Sequence, residues 1–254
     1  MSPAAALPAG TRLQGIQVLR AVAALLVLWT HLKFAMRQPL PDILDTACGA
    51  IGVDIFFVIS GFVIAMNAAR GISWRQFLAD RVSRIAPLYY LLSLPFVARA
   101  FVRGELNGPM LWNTFAFLPL FDQPTLTPPV HPYGWTLSFE MWFYLAFAAV
   151  MTRVGGERAR VALPLLLLGG MVLCLLLPVT GWFFPRFAFH PLVLEFGAGC
   201  LLYHWRDRLG PRVLVAAAAL GTLALFWSVQ HDELGWHLEM LANPWLGLQR
   251  ALLW

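Results

Sequence analysis

Residues 19–34 read LRAVAALLVLWTHLKF, an apolar run that carries Arg20 and His31 inside it. With its apolar lead-in from Ile16, the run is long enough at about 1.5 Å per residue to cross bilayer hydrocarbon as a helix. An arginine at that depth costs at least about 2.5 to 3.5 kcal/mol on insertion scales, so the helix needs a partner or a use for it. Arg20 and His31 are separated by about 1100° of helical rotation, which puts them within about 20° of one face and about 16 Å apart along the axis. A polar stripe therefore runs down the first span. The same spacing also fits an interfacial histidine beside Lys33 and an arginine snorkelling from the helix end.

Composition points the same way. Residues AVILMFWYC make up 59% of the 254-residue chain, charged residues 12%, and mean hydropathy is +0.69. Soluble domains carry about twice that share of charge, so the chain is read as an all-α integral membrane protein. The net charge of +5 comes almost wholly from arginines lying between apolar runs, a pattern of membrane loops rather than of a nucleic-acid-binding face. Cys48, Cys174 and Cys200 are scattered, and neither a disulfide framework nor a metal site is expected. The N-terminal run is too long and too polar for a signal-peptide core and is read as a retained first span.

Apolar runs fall at residues 16–34, 50–66, 85–101, 135–151, 161–182, 187–205 and 213–229, with another beginning at Trp245. They predict a polytopic helical bundle of about seven complete spans plus a truncated eighth, forming a single domain over residues 1–254. The stretch MLWNTFAFLPLF at residues 110–121 is short and contains Pro119, so it is expected to be re-entrant or interfacial. The positive-inside rule supports that choice. If the stretch does not span and the N-terminus is cytoplasmic, the arginine-rich loops around residues 70–84, 153–160 and 206–212 all lie inside.

Three carboxylates fall within apolar runs: Asp54 in GVDIFFVISGFVIAM, Glu140 in WTLSFEMWFY and Glu195 in LVLEFGAGCLL. Such groups face a bundle interior or a wet cavity. Each is either a structural counter-ion to an arginine or a working group. Ser60, Gly61, Gly197 and Gly199 supply the small surfaces that let helices approach closely.

Several of these stretches together resemble the type-3 membrane acyltransferases of bacteria, which acylate O-antigens and exopolysaccharides; the likeness is greatest to the exopolysaccharide-production branch. Arg20 and His31 fit the family's Arg-x10-His pattern, and GVDIFFVISGFVI, which contains Ser60, fits its second-span signature. RVSRIAPLYY supplies Arg-x-x-Arg as Arg81 and Arg84, while Ser138, Glu140, Phe143 and Tyr144 fit Ser-x-Glu-x-x-Phe-Tyr. Members of the family typically have about ten spans, so the chain is expected to lack C-terminal ones.

The resemblance implies a membrane-bound O-acyltransferase of the bacterial inner membrane, with acyl-CoA, usually acetyl-CoA, as donor substrate and no permanently bound cofactor. The acceptor it implies is a hydroxyl of an exported glycan or its lipid-linked precursor, acylated with or without a polysaccharide-biosynthesis complex around the enzyme. His31 is the expected general base, because an imidazole near pKa 6.5 is suited to take a hydroxyl proton at neutral pH. Glu140 or Asp54 would orient it. Arg20, Arg81 and Arg84 are expected at the donor, since the guanidinium fork binds phosphate through two hydrogen bonds. Ser138, Tyr144 and Ser60 are expected in substrate contact or packing. The alternatives from other classes are a lipid or glycan transporter and a noncatalytic subunit of a polysaccharide-export complex.

Overall fold

The computed structural model describes residues 14–36, 47–118, 129–177 and 183–210. The helices are α1 (Gln14–Met36), α2 (Ala47–Ala68), α3 (Trp74–Val102), α4 (Gly108–Ala116), α5 (Trp135–Val154), α6 (Gly156–Leu176), α7 (Phe183–Ala188) and α8 (Pro191–Trp205). α1, α2, α3, α5 and α6 are long and apolar enough to cross a membrane. Their outward surfaces carry large apolar side chains such as Val18, Leu25, Leu88, Leu91, Leu165 and Leu166. Such a surface is stable only against lipid. The expected run at 213–229 and the one beginning at Trp245 lie outside the described residues.

Two expected boundaries move, each for a local reason. α3 begins at Trp74 rather than near residue 85, because Ser73 caps it by accepting the Gln76 N–H at 3.2 Å. Arg81 and Arg84 therefore sit on a helix and not in a loop. The run at 187–205 is divided between α7 and α8. Pro191 has no N–H with which to continue a helix, and His190 caps the new one by accepting the Leu192 N–H at its Nδ1, 3.2 Å away. α4 has nine residues, about 13 Å, too short to cross.

Small residues set the packing. A Cβ at Gly61 would overlap the Phe196 carbonyl, and one at Gly199 would overlap that of Val58, so α2 and α8 meet backbone to backbone. The Cys200 thiol donates to the Gly61 carbonyl across this contact at 3.3 Å. Beside it the rings of Phe57, Phe196 and Phe143 stack at 4.4 and 4.8 Å, tying α2, α8 and α5 together. Gly52 brings α2 to within 2.7 Å, measured from its would-be Cβ, of the Ala23 carbonyl on α1. α5 passes to α6 through Gly155, whose φ of +78° is the left-handed conformation that glycine adopts without strain.

The α4 region closes the other end of the bundle. The Tyr90 hydroxyl donates to the Phe115 carbonyl at 2.7 Å, and Thr114 Oγ1 accepts the Val130 N–H at 2.8 Å. These two bonds fix α4 to α3 and fix the chain that leads to His131.

Candidate functional site

The polar residues gather at two levels. At the lower one, α1, α2, α3 and α5 enclose a cavity of about 140 Å³ lined by Arg20, Ser60, Arg81, Arg84, Glu140 and Tyr144, with apolar walls from Phe56, Ile59, Val63 and Ile85. Helical spacing explains why these side chains converge. Arg81 and Arg84 are three apart on α3, and Glu140 and Tyr144 four apart on α5, so each pair shares a face.

Glu140 is held by two hydroxyls. Ser60 donates to its Oε1 at 3.1 Å, and Tyr144 donates to the same oxygen. The Arg81 guanidinium lies 5.7 Å from the centre of the Phe77 ring and 5.8 Å from that of Tyr144, a cation–π arrangement that fixes its plane. Its Nε is buried without a hydrogen-bond partner among the described residues. Among those residues, none of the three cavity arginines forms an ion pair. Three positive groups thus face one carboxylate in a cavity about the size of a benzene site, large enough for one phosphate or thioester group and not for a nucleotide.

The upper level is built around His31. Its Nδ1 lies 2.6 Å from the Val27 carbonyl oxygen, an acceptor only, so Nδ1 carries a proton and Nε2 is the nitrogen that bears the lone pair in the neutral ring. The His31 ring meets Tyr133 edge to face at 4.1 Å; Tyr133 meets His131 at 5.6 Å, and His131 meets Phe96 at 4.4 Å. Burial holds the His131 imidazole below the ordinary histidine range.

The helices form a ladder between the levels. α1 runs from Arg20 to His31, α3 from Arg84 to Phe96, and the turn Pro132–Gly134 with α5 runs the opposite way from Tyr133 to Glu140. By helical rise the levels are about 10 to 18 Å apart.

Of the nine residues singled out from the sequence, Arg20, Arg81, Arg84, Glu140, Tyr144 and Ser60 meet in the cavity. His31 does not line it. Glu140, expected on the His31 side, lies instead among the arginines. Asp54 is on α2 and does not line the cavity. Ser138 is buried in α5 outside the cavity lining. The sequence reading missed His131 and Tyr133, because it looked for ionisable groups inside apolar runs and these two lie just before α5. The visible signal was HPYGW, a histidine and an aromatic residue directly ahead of the Glu140 span.

Comparison with known proteins places this geometry in context. The family described as an acyltransferase domain matches residues 13–248. The chain is similar to the exopolysaccharide production protein ExoZ of Rhizobium meliloti (strain 1021), 33% identical over 196 residues that make up 70% of this chain and 59% of the relative. It is 32% identical over 155 residues to the acyltransferase MdmB of Streptomyces mycarofaciens, covering 55% of this chain and 39% of that one. It is also 28% identical over 156 residues to the peptidoglycan O-acetyltransferase OatA of Listeria monocytogenes serovar 1/2a (strain ATCC BAA-679 / EGD-e), covering 54% of this chain and 24% of the relative. The match to each of these relatives spans less than two thirds of its length. No solved structure matches the chain.

Proposed function

The chain belongs to the acyltransferase-domain family, and from that premise we propose that it moves an acyl group, acetyl in the first instance, from acyl-CoA to a hydroxyl of an exported polysaccharide or its lipid-linked precursor. The observation that carries this reading is the cavity in which Arg20, Arg81 and Arg84 face a single carboxylate without forming ion pairs among the described residues. Three guanidinium groups gathered in one cavity with no ion pair among the described residues favour an anion, and the phosphates of coenzyme A supply one. Arg70, Arg75, Arg153, Arg158 and Arg206 all lie at the Arg20 end of their helices, which favours a cytoplasmic position for that end, where coenzyme A is made.

With the phosphates at the arginines, the pantetheine arm extends along the ladder toward His31, about 16 Å away. His31 Nε2 takes the proton of the acceptor hydroxyl while the hydroxyl oxygen attacks the thioester carbonyl. The new C–O bond forms, the C–S bond breaks, and the imidazolium returns its proton to the coenzyme A thiolate. Val27 keeps Nε2 basic by holding the other ring nitrogen as donor. Glu140, pinned by Ser60 and Tyr144, offsets part of the cavity charge while the donor is absent.

The test uses purified protein in detergent, acetyl-CoA, and the host's own exported polysaccharide after mild alkaline de-O-acylation. His31→Ala is expected to lower transfer by about 10² to 10⁴ while acetyl-CoA still binds. Arg84→Ala is expected to weaken acetyl-CoA binding instead. Transfer by His31→Ala at the wild-type rate removes the general base and leaves a transporter as the better reading.

A further inference from the structure

The Tyr133 side chain is 51% exposed, although its ring touches that of His31. Beside it are two buried polar atoms that make no well-formed hydrogen bond among the described residues, His131 Nδ1 and the Tyr89 hydroxyl, the latter close to Ser93. Tyr89 is only 7% exposed. Its hydroxyl rests against Gly134, at a distance where any Cβ would collide, so it reaches the start of α5 next to Tyr133. The Tyr89 and His131 rings are 6.2 Å apart. His31, Tyr133, His131 and Tyr89 thus form a continuous row, one member of which presents an open aromatic face.

A buried hydroxyl or imidazole nitrogen without a partner is costly, and native proteins keep few of them. A ligand with hydroxyl groups on its rim would satisfy both, and an aromatic surface favours a ligand whose flat side is C–H. Pyranose rings have both properties. Apolar contact with a few convergent polar groups is how small-molecule sites fix orientation.

We infer that Tyr133, His131 and Tyr89 form the acceptor subsite: a sugar ring lies on the exposed face of Tyr133, two of its hydroxyls bond to His131 Nδ1 and the Tyr89 hydroxyl, and a third meets His31 Nε2. This rests on the transferase reading above and adds to it which residues choose the hydroxyl to be acylated. Phe96, packed on His131 at 4.4 Å, holds the imidazole in place.

The test compares wild type, Tyr133→Ala and Tyr89→Phe, using the de-O-acylated host polysaccharide as probe and measuring its KM in transfer and its binding by calorimetry. Tyr133→Ala is expected to raise KM about tenfold or more while acetyl-CoA binding is retained. Tyr89→Phe keeps the ring and removes one hydrogen bond, so KM should rise about two- to tenfold. It should also melt at a higher temperature than wild type, because the unsatisfied hydroxyl is gone; a merely structural tyrosine would melt lower. Wild-type KM and binding in both variants overturns the subsite. If wild type binds the polysaccharide and Tyr133→Ala does not, yet no acyl group is transferred from acetyl-CoA, the subsite stands and the transferase reading falls.

Discussion

Glu140→Gln separates two roles for this carboxylate. The amide is nearly isosteric, and its oxygen can still accept from Ser60 and Tyr144, so the hydroxyl contacts survive. The change is the loss of one negative charge in a cavity with three arginines. Among the described residues, no ion pair joins Glu140 to a guanidinium within 4.0 Å. At that limit a pair is worth about 4 kcal/mol with an effective dielectric of about 20, and at twice the distance about 2 kcal/mol. An incoming phosphate charge about 8 to 16 Å away is repelled by Glu140 by about 1 to 2 kcal/mol. Glu140→Gln should therefore bind acetyl-CoA about five- to thirtyfold more tightly, and the gain should shrink in 0.5 M salt as screening increases. Equilibrium dialysis with labelled acetyl-CoA at two ionic strengths measures both effects. If binding is unchanged and only transfer falls, Glu140 acts through His31 after all, and the assignment to the donor cavity is wrong.

Gly199→Ala should destabilise the fold by about 1 to 3 kcal/mol or prevent folding, because its Cβ meets the Val58 backbone, which cannot yield; thermal unfolding in detergent reads this. Gly197→Ala should be nearly neutral in the same assay, since its nearest neighbour is the Pro164 side chain at 3.3 Å. For topology, single cysteines at Glu105 and Arg158 in a cysteine-free background should lie on opposite faces of the membrane. A membrane-impermeant thiol reagent added outside cells should label the first and spare the second; equal labelling refutes the arrangement of α3, α5 and α6.

The spans were legible because apolar length needs no partner to be recognised: α1, α2 and α5 lie within a few residues of the runs read from sequence. Boundaries fared worse where a single residue outweighed hydropathy, as Ser73 does in starting α3 early and Pro191 in dividing the last described run. The cavity was half legible. Arg81 with Arg84, and Glu140 with Tyr144, follow from spacing within one helix, but spacing says nothing about rotation between helices. That is why Glu140 could be assigned to the His31 side when α5 in fact turns it toward the arginines. His131 and Tyr133 were invisible for a different reason: their closeness to His31 depends on the bond from the Val130 N–H to Thr114, sixteen residues earlier in the chain.

Arg20 borders a cavity with Arg81 and Arg84, opposite a Glu140 already engaged by two hydroxyls, and forms no ion pair among the described residues. Had the bundle been selected for stability alone, the carboxylate would sit against a guanidinium, since leaving a buried charge without its partner costs several kcal/mol. Here Ser60 and Tyr144 hold it where it moderates the field without closing an ion pair. Such an arrangement leaves guanidinium donors available to an entering anion, and under the donor assignment proposed above the phosphates of coenzyme A would offset the cost of gathering three arginines. Donor binding and the stability of the bundle are then linked. Acetyl-CoA at 100 times its Kd should stabilise the protein by about 2.7 kcal/mol, and Arg84→Ala should reduce that gain through its weaker binding.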